Sequence, residues 1–585
     1  MACKRSFRFI KKLMIVNVFT EMRDIKGKDM NKKYQFQEWL LGFVLMLIDF
    51  FIGICTEPLY ANVDNFNISL VTNGLFSRDT YTYYLHPWLC KGIKWVSYFY
   101  PHADVYTVLM RVFVGISIWV LFTMIIKLNI GIIQKISLTF MVYASSFAIS
   151  IWCNNYTIQA ALFVMCGYTL LREMFNRKKL LYIILASILM CIWFMWRVQG
   201  ALLTIPFIML DITIRLIESK ELKADLKKII EVIIIPLICL GIVLCSQSIV
   251  ENSSKYKTDL EYSKARTVVE DFPVKTWGDV SKEINNISEK EYNAAVSWML
   301  IDTDVVNTNL FKKIAEVSAI NKYEYSISGI VNAVKEMVEF IITRRGWTAI
   351  LGVIIFLTFV LILSAQNNRW KRIEGILSII GGGIILLYFS IRGRAVDHVW
   401  ISVIVIVEII LVSIFIDTIV QKQLSRKKLT IITSLIMAIC IMGMGWTIKE
   451  SKIHTPQFAI NSRTNNYTNQ ITVEYKEDDL YIWGKWHKNV TRTYMALGKL
   501  PTKEFINHNM ALGDWIYGQT YYKDYLKKVN AQNPATALLE RKHTYLVEDD
   551  CSDVLAFLKE HYGDDIKASK VGNIDKVAVW QFKRK

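Results

Sequence analysis

A few residues of this 585-residue chain have the type and setting for chemistry, and most of them border apolar runs. Asp64 lies just beyond the first such run, in NVDNFNISLV. A carboxylate there could act as a general base on an acceptor hydroxyl, or hold a divalent ion that steadies a phosphate leaving group. The plainer reading is a solvated loop carboxylate, or a cap for a helix beginning near Phe66. Asp79 and Asp104 are the second choices for an acid. Arg392 and Arg394 stand two apart around Gly393 in SIRGRAVDHVW. Such a pair could clamp a diphosphate, because planar guanidinium groups match phosphate oxygens, or be two solvated loop arginines. Arg197, in FMWRVQG, either snorkels to lipid headgroups or points inward to an anionic lipid substrate. On a helix, Tyr262, Arg266 and Glu270 of DLEYSKARTVVEDFP share one face, as a surface salt bridge or as side chains facing a cavity. His86, in YYLHPW, and His398 are candidates for contact with a phosphate or a sugar, with a packing role as the alternative.

These residues need a scaffold, and the composition names it. Apolar residues make up 53% of the chain and cluster in runs of about twenty, the length that crosses a bilayer. The expected fold is an α-helical polytopic membrane protein of about eleven transmembrane helices, with a helical outer loop and a small α/β outer C-terminal domain. The runs fall at about 38–58, 106–126, 133–152, 157–172, 180–196, 199–217, 229–247, 347–364, 374–391, 399–419 and 429–447. Residues 1–37 form a basic cytoplasmic segment in which no cleavable signal peptide is evident. Residues 38–447 form the bundle, with outer loops at 59–105 and 248–345, and residues 448–585 form an extracytoplasmic domain. Each expected inner connection is short and carries Lys or Arg, which places the amino terminus inside and the tail outside. Arg344, Arg345, Arg392 and Arg394 remain as positive charge at the outer mouth.

The net charge of +18 sits beside the apolar runs, as topology and anionic lipid require, and does not point to nucleic acid. Ten cysteines without C-x-x-C spacing suggest neither a zinc site nor a disulfide framework. No G-x-x-x-x-G-K-[ST], H-E-x-x-H or G-x-S-x-G motif is present. The spans show few paired charges and no repeated halves, which argues against an ion-coupled transporter.

The large loop reads as helical in SEKEYNAAVSWMLID and NAVKEMVEFII. In the tail, strands are expected in QITVEYKEDDLYIWG, TALLERKHTYLVEDD and VAVWQFK, and an amphipathic helix in CSDVLAFLKEHYG, stopped by Gly563. The aromatics of MALGDWIYGQTYYKDYL could stack on sugar rings or fill a small core.

One span followed by an outer loop that starts with an acid, here NVDNFNISLV, resembles the multi-pass C-type glycosyltransferases that use polyprenyl-phosphate sugars. The resemblance implies a catalytic or metal-associated role for Asp64 and an outer soluble domain. Many such enzymes show two adjacent acids, whereas Asn65 follows Asp64 here, so a divalent cation is only one possibility and no other cofactor is implied. The segments YLHPWLCKGI, EYSKARTVVEDFP, SEKEYNAAVSWMLIDTD, IRGRAVDHV and LPTKEFINHNMALGDW also resemble a group of bacterial membrane proteins tied to surface polysaccharide assembly. The expectation is sugar transfer at the outer membrane face, with a polyprenyl-linked sugar or glycan, membrane lipid and other assembly proteins as partners. An O-antigen-type polymerase using polyprenyl diphosphate and a non-enzymatic carrier of lipid-linked glycans are the alternatives.

Overall fold

The computed structural model describes residues 31–55, 63–147, 155–177, 180–343, 369–420, 426–453, 478–484, 503–513, 515–574 and 577–585, with Leu500 and a few positions between 352 and 362. In lipid no water meets backbone N–H and C=O groups, so apolar runs satisfy them internally as helices. In order these are α1 (Asn31–Cys55), α2 (Val63–Thr72), α3 (Pro87–Phe99), α4 (Val105–Lys127), α5 (Ile132–Phe147), α6 (Tyr156–Arg177), α7 (Leu180–Trp196), α8 (Val198–Leu202), α9 (Ile205–Glu218) and α10 (Leu222–Glu251). A polar helical segment follows: α11 (Lys257–Glu270), α12 (Trp277–Glu283), α13 (Glu289–Val296), α14 (Thr308–Ser318) and α15 (Ile327–Thr343). The bundle resumes with α16 (Arg369–Ile391), α17 (Asp397–Val420) and α18 (Arg426–Ile453).

Among the described residues, six helical stretches are long and apolar enough to cross a membrane: Val105–Lys127, Tyr156–Phe175, Val198–Glu218, Leu222–Glu251, Arg369–Ile391 and His398–Asp417. Ile132–Tyr143, Ile183–Trp196 and Leu429–Met442 are shorter apolar helices. The chain is thus a multi-pass α-helical membrane protein. Six is fewer than the eleven runs counted in the sequence, and most of the run at 347–364 lies outside the described residues, as do Arg344 and Arg345.

Side-chain burial sorts the bundle. Helices α6 and α17 pack against each other at its centre, and most of their side chains are buried. Helix α10 lies at the periphery, exposing Leu226, Ile230, Ile234, Leu237, Ile238 and Ile242, as a lipid-facing helix should. The first loop is anchored by its own polar groups. Asp104 caps α4 by accepting from the Thr107 N–H at 3.3 Å, and it accepts from Asn73 Nδ2 at 3.1 Å. Asp79 accepts from the Tyr256 hydroxyl at 2.8 Å and pairs with Lys255 at 2.7 Å.

The tail is a mixed α/β domain: β1 (Leu480–Trp483), α19 (Lys503–His508), β2 (Asn509–Ala511), α20 (Thr520–Lys528), α21 (Pro534–Glu540), β3 (Thr544–Val547), α22 (Ser552–Tyr562), β4 (Ile566–Ile574) and β5 (Val577–Arg584). Its sheet has the order β2-β1-β3-β5-β4. The first three strands are parallel, and β5 runs antiparallel to β3 and β4. The expected helix before Gly563 and the terminal strand are present. The strand expected in TALLERKHTYLVEDD is confined to Thr544–Val547. Its TALLE portion completes α21, because Pro534 opens a helix that Asn533 and Thr536 cap reciprocally. Residues 471–477 lie outside the described residues.

The tail docks firmly on the loops. Asp259 of α11 accepts from the Thr520 N–H at 2.8 Å and from its hydroxyl at 3.1 Å. Gln519 Nε2 donates to Ser263 Oγ at 2.8 Å, and the Ala535 N–H to the Ile301 carbonyl at 3.1 Å. Ser77 of the first loop donates to Asp524 at 3.0 Å. Trp515, Tyr517, Tyr521, Tyr522 and Tyr525 are buried, so the aromatic stretch fills the core of this domain and its seam with the loops.

Candidate functional site

The bundle has an upper end, marked by Asp64 and the tail, and a lower end marked by Lys127 and Asp417. Most of the residues singled out in the sequence meet at the upper end. Asp64 sits in the first turn of α2, where the helix dipole favours a negative charge. Burial outweighs that and, with the Asp271 charge, pushes its carboxyl from the ordinary 3.8 up to about 6, against the pull of Arg266, Arg197 and Tyr156. The Tyr156 hydroxyl donates to Asp64 Oδ2 at 3.3 Å.

Arg197 follows α7 directly and is the extended residue before α8. It does not snorkel away. Its guanidinium lies over the rings of Tyr84, Tyr156 and Tyr83, at 4.8, 5.4 and 5.7 Å from their centroids. Cation–π attraction holds such a group in place without using its N–H donors. Nε and Nη1 are buried and have no hydrogen-bond acceptor among the described residues. Tyr156 therefore joins the acid and the cation, through its hydroxyl on one side and its ring on the other. Burial and the Asp64 charge hold the Tyr84 phenol well above its ordinary value, so it stays a donor.

Arg266 approaches from α11. It is buried, pairs with Glu270 at 2.6 Å and lies 4.9 Å from the centre of the Trp298 ring. The pairing expected on one helix face is present, but inside the protein rather than on a surface. Tyr262 is buried on the same helix, edge-on to Phe311. Its hydroxyl has no hydrogen-bond partner among the described residues. Arg392 and Arg394 flank Phe272, at 5.1 and 5.0 Å. Arg392 donates to Asn321 at 2.6 Å, and Arg394 pairs with Asp271 at 3.0 Å. Gly393 makes this turn with φ +74°, and a Cβ there would stand 2.5 Å from Pro273 Cγ. His398, at the upper end of α17, lies within the fields of Arg394 and Arg197.

His86 is occupied elsewhere. Its Nδ1 accepts from the Trp88 N–H and caps α3, so Nε2 carries the hydrogen and faces Val243 O and Ser246 Oγ of α10 at 3.2 and 3.0 Å. Burial lowers its pKa, which suits a neutral structural histidine.

The donors around Asp64 do not suit a divalent cation. Two guanidinium groups act on it, the adjacent Asn65 is turned to the Tyr106 hydroxyl at 2.9 Å, and Asp271 is paired with Arg394. Among the described residues no group of three or more His, Cys, Asp or Glu is arranged to hold a metal ion.

Tyr84, Tyr156 and Trp298 belong to this site but were not legible as such. Their signal in the sequence, aromatics at span ends and in loops, is that of an interfacial belt. A second omission lies at the lower end. Asp211 accepts from Tyr168 at 2.6 Å, from Arg172 at 2.9 and 3.1 Å, and from Arg215 at 3.0 Å. Arg172 and Arg215 also reach Asp417, at 2.8 and 3.0 Å. Lys371 pairs with Glu374 at 2.8 Å and lies 3.5 Å from Asp417. The expectation of few paired charges within the spans is thereby corrected: besides the local pairs Asp211–Arg215 and Lys371–Glu374, contacts among four helices join Arg172 and Asp417 to them.

Compared with known proteins, the chain matches no family model and no curated protein.

Proposed function

We propose that this protein transfers a sugar from a polyprenyl-phosphate donor to a cell-surface glycan or lipid-linked acceptor, at the outer face of a cell membrane. The observation that carries this reading is the Asp64–Tyr156–Arg197 unit, an acid of raised pKa joined through one tyrosine to a guanidinium with two uncommitted, buried nitrogens. Asp64 takes the proton of the acceptor hydroxyl as the sugar–phosphate bond breaks. Arg197 stabilises the charge that develops on the leaving phosphate. Arg266, Arg392 and Arg394 keep the surroundings positive, and Tyr262 and His398 line the approach. The resemblance of NVDNFNISLV to the C-type enzymes agrees with this, in an eleven-span topology with the amino terminus inside and the tail outside.

The arrangement of the arginine pair favours a monophosphate over a diphosphate leaving group. Arg392 and Arg394 are committed to Asn321 and Asp271, which weakens the polymerase reading. The charged cluster at the lower end favours a second reading, transport of a lipid-linked glycan, since carriers place polar groups at depth in the bundle.

Membranes containing the full chain, supplied with polyprenyl-phosphate sugars, test the first reading. Transfer that is lost in Asp64→Asn supports it, and undiminished transfer removes Asp64 from the mechanism. Movement of labelled lipid-linked glycan between leaflets without sugar transfer would establish the second. Reporters fused near residue 300 and to the tail must both be external, and a cytoplasmic signal from either breaks the outer-site arrangement.

A further inference from the structure

Helix α3 (Pro87–Phe99) has both its ends at the top of the bundle. At its start, the His86 N–H donates to the Met195 carbonyl near the end of α7 at 2.9 Å, and the His86 ring faces Val243 and Ser246 towards the end of α10. At its finish, Tyr100 leads to Asp104, which caps the start of α4. Its 13 residues measure about 20 Å at 1.5 Å each, short of the ~30 Å apolar layer of a bilayer. A helix that starts and finishes at one level of the bundle runs along the membrane plane and does not cross it.

Three stripes divide its surface. Cys90, Ile93 and Ser97, at steps of three and four, form the buried stripe, and the helix packs on α2, α4 and α7. Ser97 donates to Asn73 Oδ1 at 2.6 Å, just past the end of α2, the helix that begins at Asp64. Trp88, Trp95 and Phe99, at steps of seven and four, form an aromatic stripe that is 49%, 68% and 60% exposed. Trp95 meets Phe99 edge-on at 5.3 Å, and half-buried Leu89 and Val96 widen this apolar side. Lys91, Lys94 and Tyr98, at steps of three and four, form the third stripe, in which the Lys94 ammonium donates to the Arg78 carbonyl.

Exposed apolar surface of this kind marks an interaction site, and its neighbours say with what. Ile242 and Leu244, on either side of Val243, are exposed on α10, and Val108 and Val112 are exposed in the first two turns of α4. The lipid-facing surface of the spans therefore reaches α3 at both ends, and the aromatic stripe continues it between them. Trp and Tyr are the side chains that settle at the level of lipid headgroups, and lysines beside them suit the phosphates there.

We propose that α3 is an interfacial helix seated in the bilayer leaflet at the upper end of the bundle. Trp88, Trp95 and Phe99 enter the boundary between headgroups and acyl chains, and Lys91 and Tyr98 face the phosphates and water. This surface is distinct from the Asp64 cluster, and the proposal rests neither on sugar transfer nor on which face of the membrane is outside.

Fluorine NMR of the full chain in lipid nanodiscs tests it, with 4-trifluoromethylphenylalanine placed singly at Trp95, Phe99, Lys91 or Val571. Each of these side chains is exposed, and Val571 lies on β4 of the tail, away from the spans. Relaxation is compared between a lipid bearing a nitroxide high on its acyl chain and a nickel chelate dissolved in the water. At Trp95 and Phe99 the lipid nitroxide must act more strongly than the chelate, and at Lys91 and Val571 the order must reverse. A stronger chelate effect at Trp95 and Phe99 overturns the proposal, because the stripe then faces water. Shielding of both positions from both probes also overturns it, because protein then covers the stripe. Photolysis of the full chain with benzoylphenylalanine at Trp95 supplies a second readout: a phospholipid adduct supports the interfacial seat, and a covalent dimer in its place assigns the stripe to a second copy of the chain and overturns it.

Discussion

Trp515 of the tail meets the ring of Tyr84 edge-on, with 4.6 Å between centroids and 77° between planes, while Arg197 lies over the same tyrosine. The tail thus buttresses the platform on which the cation rests. An edge-to-face pair of this kind contributes about 1 kcal/mol beyond its burial, so the domain helps to fix the position of a charge in the bundle.

Asp64→Asn should lower sugar transfer by about 10²- to 10⁴-fold, the range of a general base. In the unaltered protein the rate should rise with pH up to about 6, where the carboxyl ionises, and level off above. The same shift has a stability sign. The folded pKa exceeds the ordinary 3.8, so stability is greatest below about pH 4 and is lost as pH rises to about 6. Asp64→Asn should remove that slope. A pH–rate profile and thermal melts across this window check both statements.

Arg197→Lys keeps the charge but loses the flat group that lies over three tyrosine rings. Affinity for polyprenyl phosphate should fall at least about tenfold, as expected for losing a charge-assisted contact of about 1.5–3 kcal/mol. Binding titrations with the lipid phosphate and with the uncharged polyprenol separate this loss from a general loss of lipid binding, since only the phosphate should weaken.

Gly513→Ala should undock the tail. A Cβ at this position overlaps the Trp298 carbonyl oxygen, which is backbone and cannot swing aside. Trp298 itself is held at φ +62°. Limited proteolysis should release the tail from the variant while the bundle stays intact, and transfer should fall with it. Asp259→Ala, which removes the acceptor of the Thr520 contacts, should cost about 1–3 kcal/mol of docking.

Gly393→Ala places a side chain at φ +74° and 2.5 Å from Pro273. Backbone strain of about 1–2 kcal/mol adds to the clash, and the turn that presents Arg392 to Asn321 and Arg394 to Asp271 must move. A lower melting temperature together with weaker binding of lipid phosphate is expected, and an unchanged value of both would remove this turn from the site.

How far the sequence reached is clearest at single residues. Asp64, Arg197, Arg394 and His398 stood out because a charge or an imidazole at the edge of an apolar run is costly and conspicuous, Arg266 because it shares a helix face with Tyr262 and Glu270, and the structure gathers them. His86 carried the same signal but caps a helix, a role decided by Ser246 and Val243 on a helix far along the chain. The lower cluster was illegible because the contacts that join its helices are distant in sequence: Arg172 reaches Asp211 39 positions on and Asp417 245 positions on. TALLE misled because a short apolar run fits strand and helix alike, and only the Asn533–Thr536 cap decides it.

Ser77 and Asp524, which hydrogen-bond across the seam, are 447 positions apart. Closing a contact of that span requires almost the whole chain to have been made and inserted first. A polypeptide cut short within the tail would keep its membrane helices yet lack Trp515 against Tyr84. Completion of synthesis is therefore built into assembly of the Asp64 site, so a truncated product should reach the membrane as an inert one.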